Sequence, residues 1–374
     1  MTAHDDHKNV IVWRDDWLPG SETFIRNQAS ALRTWTPLCS GLQTIQSPLA
    51  EQTDRVLFAR TWQGSFRRKV FKLTRRSRQL DRWVSDPAVG LVHAHFGPDA
   101  TQILPFCIRA KKPLMVTLHG YDVSKFPTEK SVRAWLYRRR LRALFSYAST
   151  IVAVSEFIRQ QTILLGADPG KIVVHHIGIP LVGRAKSGEG AGIVFVGRFS
   201  EKKGVLDLLE AVAMLEEPMR STRITLVGDG PLKGGAESLA DTLSLNARFC
   251  GALSPAGVGE ILDEGLVFCG PSQKARTGDV EGLGMVFLEA GAHHLPVIAY
   301  RHGGVSEAVT HNEAGILVEE GDVPALAAAL AEMLSNERLR AKMGQSARSR
   351  VERDFDIKRQ TATLERIYES IAGE

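Results

Sequence analysis

The residues best suited to chemistry sit in short segments, and the most informative is 281-EGLGMVFLEA-290. Two carboxylates, Glu281 and Glu289, flank the bend Gly282-Leu283-Gly284 with seven residues between them. The apolar residues that follow predict a helix beginning near Met285. A helix start offers unpaired backbone N–H groups and the positive end of the helix dipole, which suits a phosphate. Glu289, about one turn into that helix, would accept hydrogen bonds from two sugar hydroxyls, and Glu281 would sit nearer the reacting group. The spacing alone fits a plainer reading equally well, in which one acidic residue stabilises a helix start and the other is solvated.

A second segment is 193-IVFVGRFSEKKG-204. Its strand ends at Gly197, and Arg198 and Lys203 follow in a tight loop. Arginine offers a planar fork of donors and lysine a mobile point charge, a combination that suits a diphosphate. Taken singly, such a pair more often means two exposed basic residues on a loop. The segment 226-LVGDGPL-232 is again a strand with a glycine-rich exit, but it does not complete the G-x-G-x-x-G dinucleotide fingerprint.

In the first half, 93-HAHFG-97 and 117-TLHGYDVS-124 each accompany a strand. His119, Gly120 and Asp122 form a polar cluster at a sheet edge. His93 and His95 are read as pointing to opposite faces of their strand, with no carboxylate or cysteine nearby to complete a metal set. The pairs His175-His176 and His293-His294 have no ligand spacing either, so no metal site is expected. The Pro-Gly-Ser turn in 17-WLPGSETFI-25, with Gly20 and Ser21, would bring backbone N–H groups to an anion or serve only as a strand–helix loop.

These segments need elements to position them. Apolar runs at 9–13, 90–96, 113–119, 150–155 and 171–177 read as buried strands, as do those at 192–197, 223–228, 266–270 and 296–300. Helical periodicity separates them, so the chain is predicted to be α/β, with two Rossmann-like doubly wound parallel sheets. Ligands bind beyond the carboxyl ends of such strands, and two domains facing each other would share one cleft. Gly and polar residues over 178–191 read as the boundary. The expected domains are 1–180 and 181–355, with a last helix over 356–374 crossing back to the first domain.

The chain has 374 residues, 44% hydrophobic and 24% charged, as in ordinary globular proteins. No run approaches the about 20 apolar residues of a membrane-spanning helix. The acidic start MTAHDDHKNVIVWRDDW does not read as a secretory signal. Cys39, Cys107, Cys250 and Cys269 lie far apart with no CxxC pair, which speaks for free thiols in a reducing cytoplasm. Residues 1–180 carry a net charge of +12 and the remainder −7. A basic first half implies an anionic partner. Nucleic acid is not expected, because no aromatic stacking strand or DNA-binding motif accompanies the charge.

Taken together, LPGSETFI, HAHFG, LHGYD, AVSEFI, GRFSEKKG, LVGDGPL, PSQ at 271–273, EGLGMVFLEA and the Gly303-Gly304 pair resemble the retaining nucleotide-sugar glycosyltransferases of family 4, which have the GT-B fold. The resemblance covers almost the whole chain and is nearest to bacterial enzymes of exopolysaccharide, capsule or lipopolysaccharide synthesis. It implies that Arg198 and Lys203 hold the donor diphosphate and that Glu289 binds the nucleotide ribose. Glu281, Gly282, Leu283 and Gly284 would hold the donor sugar and its phosphate. His119 would touch that sugar near the reaction centre, and Gly20 and Ser21 would approach the phosphates. It also implies transfer to an acceptor hydroxyl without a metal or other cofactor. The same-fold alternative is a sugar-nucleotide epimerase, and the non-enzymatic one is a glycan-binding protein.

The stretch 60-RTWQGSFRRKVFKLTRRSRQLDRWV-84 places Trp62, Phe66, Val70, Leu73, Leu80 and Val84 at helical spacing, broken only at Ser77, among nine basic residues. The stretch 133–145 is similar. Packing alone predicts that the apolar stripes meet the N-terminal sheet and that the charges are solvated. A compatible reading sets those charges against anionic lipid, with a lipid-linked or glycan acceptor and a peripheral place on the cytoplasmic face of the inner membrane.

Overall fold

Parallel strands must be joined by crossovers, and the crossovers here are helices that cover both faces of each sheet. The structure is a computed structural model that describes residues 8–20, 22–45, 47, 49–181, 190 and 192–373. The chain divides into two compact units, Met1–Pro180 with Ile357–Glu374, and Leu181–Asp356. Of the boundary stretch 178–191, residues 182–189 and 191 lie outside the described residues.

The first unit contains β1 (Lys8–Trp13), β2 (Asp16–Trp17), β3 (Trp35–Gly41), β4 (Gln43–Thr44), β5 (Arg55–Val56), β6 (Val89–His95), β7 (Leu114–Leu118), β8 (Thr150–Ala153) and β9 (Ile172–Val174). Seven of these form one parallel sheet in the order β5-β3-β1-β6-β7-β8-β9, and β2 pairs with β4. Its core joins Val10, Val12, Trp17, Leu91, Met115 and Val152 to Leu364, Tyr368 and Ile371 of the last helix, Ile357–Ala372. Polar bonds fix that helix as well. The Glu365 carboxylate accepts the backbone N–H groups of Arg33 and Thr34 at 2.7 and 2.6 Å. The Tyr368 hydroxyl lies 2.6 Å from His93 Nδ1.

The second unit contains β10 (Ile193–Val196), β11 (Ile224–Val227), β12 (Ala247–Gly251), β13 (Val267–Gly270), β14 (Val297–Tyr300) and β15 (Gly315–Val318). The order β12-β11-β10-β13-β14-β15 is the doubly wound order, in which winding reverses between β10 and β13. Ile193, Phe195, Leu226, Val267 and Ile298 form the core with Leu208 and Leu330 from flanking helices.

Three longer strands are not among those expected from the sequence: β3 and β12 lack a continuous buried run, whereas β15 is a short buried run, GILV, that the reading passes over. β12 and β15 are sheet edges, and β3 holds Pro37, whose missing N–H weakens any strand signal. The basic stretch 60–84 is two helices, Trp62–Thr74 and Arg78–Ser85. Arg75 takes the left-handed conformation that ends the first (φ 53°), and the Ser77 hydroxyl caps the second through the Leu80 N–H. The expected inward stripe is not inward on the first helix. Trp62, Phe66 and Leu73 are 81, 61 and 85% exposed, whereas Phe71 is buried against Phe58 and Phe106. Leu80 and Val84 of the second helix are buried. The other basic stretch falls in the helix Val132–Tyr147, which buries Tyr137, Leu141, Leu144 and Phe145. Among the described residues, no helix is long and apolar enough to cross a membrane.

Candidate functional site

In the second unit the site is built where winding reverses. Gly228, at the exit of β11, has φ 134°, and a Cβ there would meet the Gly197 carbonyl oxygen at 1.9 Å. Only glycine lets those two strand exits close up. The loop after β10 then carries an exposed Arg198, a buried Phe199 and the turn Glu201–Lys203. The Lys203 stem lies over Gly197. The Gln273 N–H donates to the Lys202 carbonyl at 2.8 Å, which ties this loop to the one after β13.

Lys203 Nζ donates to Glu281 Oε2 at 2.5 Å, and Lys202 Nζ lies 3.3 Å from Asp279 Oδ1. Burial alone would push the Glu281 carboxyl up. The charges of Lys203 and then Lys202 outweigh it and hold the group at about 2, so Glu281 is a carboxylate at neutral pH. Glu289 differs: burial raises it, and Lys203 only partly offsets the rise. Arg198 acts electrostatically on Lys202, which puts it within range of the same cluster.

The loop bearing Glu281 is fixed through its backbone. Its N–H donates to His302 Nε2 at 3.2 Å, and His302 Nδ1 lies 2.6 Å from Glu320 Oε2. These two bonds require a neutral imidazole with its proton on Nδ1. The second Glu320 oxygen accepts the Lys274 N–H at 2.8 Å. On the other side, the Gly304 N–H donates to the Glu281 carbonyl at 3.0 Å, and a Cβ on Gly304 would stand 2.0 Å from the Gly282 carbonyl oxygen. The helix Met285–Ala292 starts from Gly284 with no side-chain cap, so its first-turn N–H groups can serve an anion. Leu283 is buried beneath the bend, and Glu289 lies in the second turn of the helix.

The second unit therefore holds Arg198, Lys203, Glu281, Gly282, Leu283, Gly284 and Glu289. Gly20 and His119 belong to the first unit, and Ser21 lies outside the described residues. Gly20 is exposed in a turn with open space where a side chain would go. Arg14 braces the segment after this turn: its guanidinium forks onto Glu22 at 2.7 and 2.8 Å and also bonds Asp99. His119 follows β7, an interior strand rather than a sheet edge. Its Nε2 is 3.2 Å from His95 Nδ1, and its ring packs on Phe96 and Phe24. Burial first, then the Arg14 charge, holds His119 well below the usual histidine range, so it is neutral. Asp122 is buried and accepts the N–H groups of Gly120, Gly97 and His119 at 2.8, 3.0 and 3.1 Å, so it organises backbone.

His93 and His95 correct the sequence reading. Their rings lie 4.4 Å apart on one face of β6, because residues two apart on a strand share a face. Among the described residues, no group of three or more His, Cys, Asp or Glu side chains is placed to hold a metal. Sequence reasoning missed the His302–Glu320 pair and the Arg14–Glu22–Asp99 network. The only signals were the position of His302 directly before Gly303-Gly304 and the charges flanking the Pro-Gly-Ser turn.

The cluster can hold a diphosphate through Lys203, Arg198 and the helix start, and hydroxyls through two carboxylates of unlike basicity. Comparisons with known proteins agree with this chemistry. Residues 184–350 match the family "Glycosyl transferases group 1", and residues 20–178 match the "Glycosyl transferase 4-like domain". The amylovoran biosynthesis glycosyltransferase AmsK of Erwinia amylovora is 29% identical over 265 residues, 69% of this chain and 64% of the relative. The match thus spans just under two thirds of that protein. The putative colanic acid biosynthesis glycosyltransferase WcaL of Salmonella typhimurium is 30% identical over 297 residues, 75% of this chain and 71% of the relative. The structure of Anabaena Alr3699/HepE in complex with UDP-glucose superposes with a TM-score of 0.78 at 19% identity, covering 97% of this chain and 100% of that one.

Proposed function

We propose that this chain, which belongs to the group 1 glycosyl transferases and has their GT-B fold, moves a sugar with retention from a nucleoside diphosphate to an acceptor hydroxyl on a lipid-linked glycan in polysaccharide synthesis. The observation that carries this reading is the Lys203–Glu281 pair beside the uncapped helix start at Gly284. The relatives named for amylovoran and colanic acid biosynthesis support the polysaccharide setting, and the UDP-glucose complex of HepE supports a nucleotide-sugar donor.

In this reading the bond from the sugar C1 to the diphosphate oxygen breaks, and the acceptor oxygen bonds C1 on the face that the diphosphate vacates. A leaving-group oxygen takes the acceptor proton. Arg198, Lys203 and the first-turn N–H groups offset the negative charge that grows on the diphosphate. Glu281, ionised at neutral pH, cannot donate a proton. It holds Lys203 in place and accepts hydrogen bonds from the sugar, while Glu289 takes the ribose. By the family resemblance, neutral His119 would contact the sugar near C1, and Gly20 and Ser21 would add N–H donors. The leaving group is neutralised by protein cations, so no metal or other cofactor is needed.

The basic helices of the first unit support a peripheral place on an anionic membrane surface at the cytoplasmic face. Incubating the purified chain with UDP-, GDP-, ADP- and CMP-sugars tests the reading. Slow release of free sugar and nucleoside diphosphate from one of them, unaffected by EDTA, is expected. Recovery of a different sugar nucleotide, or of the unchanged starting material in every case, would overturn it.

A further inference from the structure

The first unit contains a cavity of about 540 Å³ that the donor chemistry does not use. The helices Trp62–Thr74, Gly97–Ala110 and Val132–Tyr147 contribute to its wall, and Lys72, Arg75, Arg133 and Arg140 line it together with Tyr121 and Leu136. Two carboxylates on the wall are already matched. Asp15 pairs with Lys72 at 2.6 Å and with Arg68 at 3.0 Å, and Asp99 is held by Arg14. Glu129 is the one other carboxylate among the described lining residues. Three guanidinium groups therefore face the space with one carboxylate to answer them.

Arg75 is held so as to serve this space. Its NH1 donates to the Thr101 carbonyl at 2.6 Å, which fixes the guanidinium, while its Nε is buried and has no acceptor. A buried donor without a partner costs on the order of 1–3 kcal/mol, which an incoming acceptor would recover. Burial and the charge of Arg140 bring Arg75 down to about 10, so each cation raises the cost of the other until an anion enters.

The apolar surroundings narrow the class of anion. Leu136, Tyr121 and Phe126 line the cavity, and Leu136 and Tyr121 are 36 and 42% exposed. Trp62, Phe66 and Leu73 stand exposed on the helix that ends at Arg75. Apolar and aromatic side chains lining a cationic cavity fit an amphiphile with an anionic head.

We propose that this cavity binds a phosphate or diphosphate ester carried on an apolar chain, with Arg75, Arg133 and Arg140 holding the anion and Leu136, Tyr121 and Phe126 taking the chain. The proposal deepens the reading above, because it assigns the chemistry of the acceptor's carrier.

Calorimetric titration of the full chain tests it, in an Arg198→Ala/Lys203→Ala background that silences the donor cluster. The probes are inorganic pyrophosphate and a short-chain alkyl diphosphate below its micellar concentration. The alkyl diphosphate is expected to bind at least about tenfold more tightly than pyrophosphate, and Arg140→Gln to weaken both about tenfold. Adding Arg75→Gln should weaken them further. Arg140 is exposed, so its variant remains informative if Arg75→Gln fails to fold. Equal affinity for the two probes would overturn the apolar chain and point to a soluble phosphate. Binding unchanged by Arg140→Gln, or no binding of either probe, would overturn the cavity. Tight, Arg140-dependent binding in that background, with the wild-type chain releasing sugar from no nucleotide sugar, would overturn the transferase reading and leave the cavity standing.

Discussion

Lys203 and Glu281, 78 residues apart in the sequence, form an ion pair with Nζ and Oε2 2.5 Å apart, and that contact keeps a buried carboxylate charged. Lys203→Met removes the partner and leaves the carboxyl in a site that disfavours charge. The wild-type group titrates near 2 against an ordinary 4.5, so its contribution to stability is full above about 4.5 and is lost as pH falls toward 2. In Lys203→Met the larger part of that contribution is absent, and only the charge of Lys202 and the weaker influence of His302 remain. Tm should fall at pH 7 by an amount equivalent to about 3 kcal/mol, and less acid-induced loss should remain between pH 4.5 and 2. The kcat/KM for donor turnover should fall on the order of 10²-fold. Thermal melts across pH, read beside kinetics, check both, and a wild-type Tm–pH profile would refute the pairing.

Gly304 touches the donor loop through backbone alone. A Cβ there would press on the Gly282 carbonyl oxygen at 2.0 Å and on the Leu283 Cα at 3.0 Å, neither of which can swing away as a flexible side chain could. Gly304→Ala should displace the bend before Met285 and weaken nucleotide-sugar binding at least about tenfold, with a stability loss of about 1–3 kcal/mol. Titration of the donor, set beside denaturant unfolding, measures the two effects separately.

His302 holds the Glu281 N–H from one nitrogen and faces Glu320 with the other. It makes no charge at the reaction centre, so it acts by positioning. His302→Ala should lower kcat about tenfold while the fold is retained, and hydrogen exchange at the Glu281 amide should accelerate. Glu320→Ala should give a weaker version of the same pattern, because the imidazole loses only its orienting partner. An exchange rate at Glu281 equal to wild type would show that the loop does not depend on this bond.

Trp62 and Leu73 are largely exposed on a helix that also carries Arg67, Arg68, Lys69 and Lys72. Co-sedimentation with vesicles containing anionic lipid should fall severalfold in Trp62→Ser/Leu73→Ser and fall again as salt rises. Binding that ignores salt, lipid charge and both substitutions would remove the membrane from the account. The unfolding free energy should stay within about 1 kcal/mol of wild type, since neither side chain is buried.

Most of the sheet framework could be read from the chain because its signals are local. Runs such as IVFV and ITLV are buried on both faces, and each ends at a glycine that lets the chain turn. The strand at 247–251 escaped because it is a half-buried edge and that at 35–41 because it carries a proline, whereas 315–318 is a buried run of only four residues and was passed over. The basic stretch after residue 60 shows the limit of periodicity. Spacing finds an apolar stripe but not the direction it faces, and the turn at Arg75 and Ser77 gives the two halves different partners. At the site, the bend before Met285 and the Glu281–Glu289 spacing were visible. His302 and Glu320 were not, because a side chain that hydrogen-bonds a distant amide leaves no regular spacing.

The sequence by itself determined the alternation of strand and helix, the glycine bends and the inventory of cations and carboxylates, since each depends on residues within a few positions of one another. Tertiary structure decided which lysine meets Glu281, why one of two carboxylates keeps its charge and the other is raised, and which aromatic of the basic helix is buried. Those outcomes depend on which loops meet where the winding of the sheet reverses, and on how much water is left around each group once they have met.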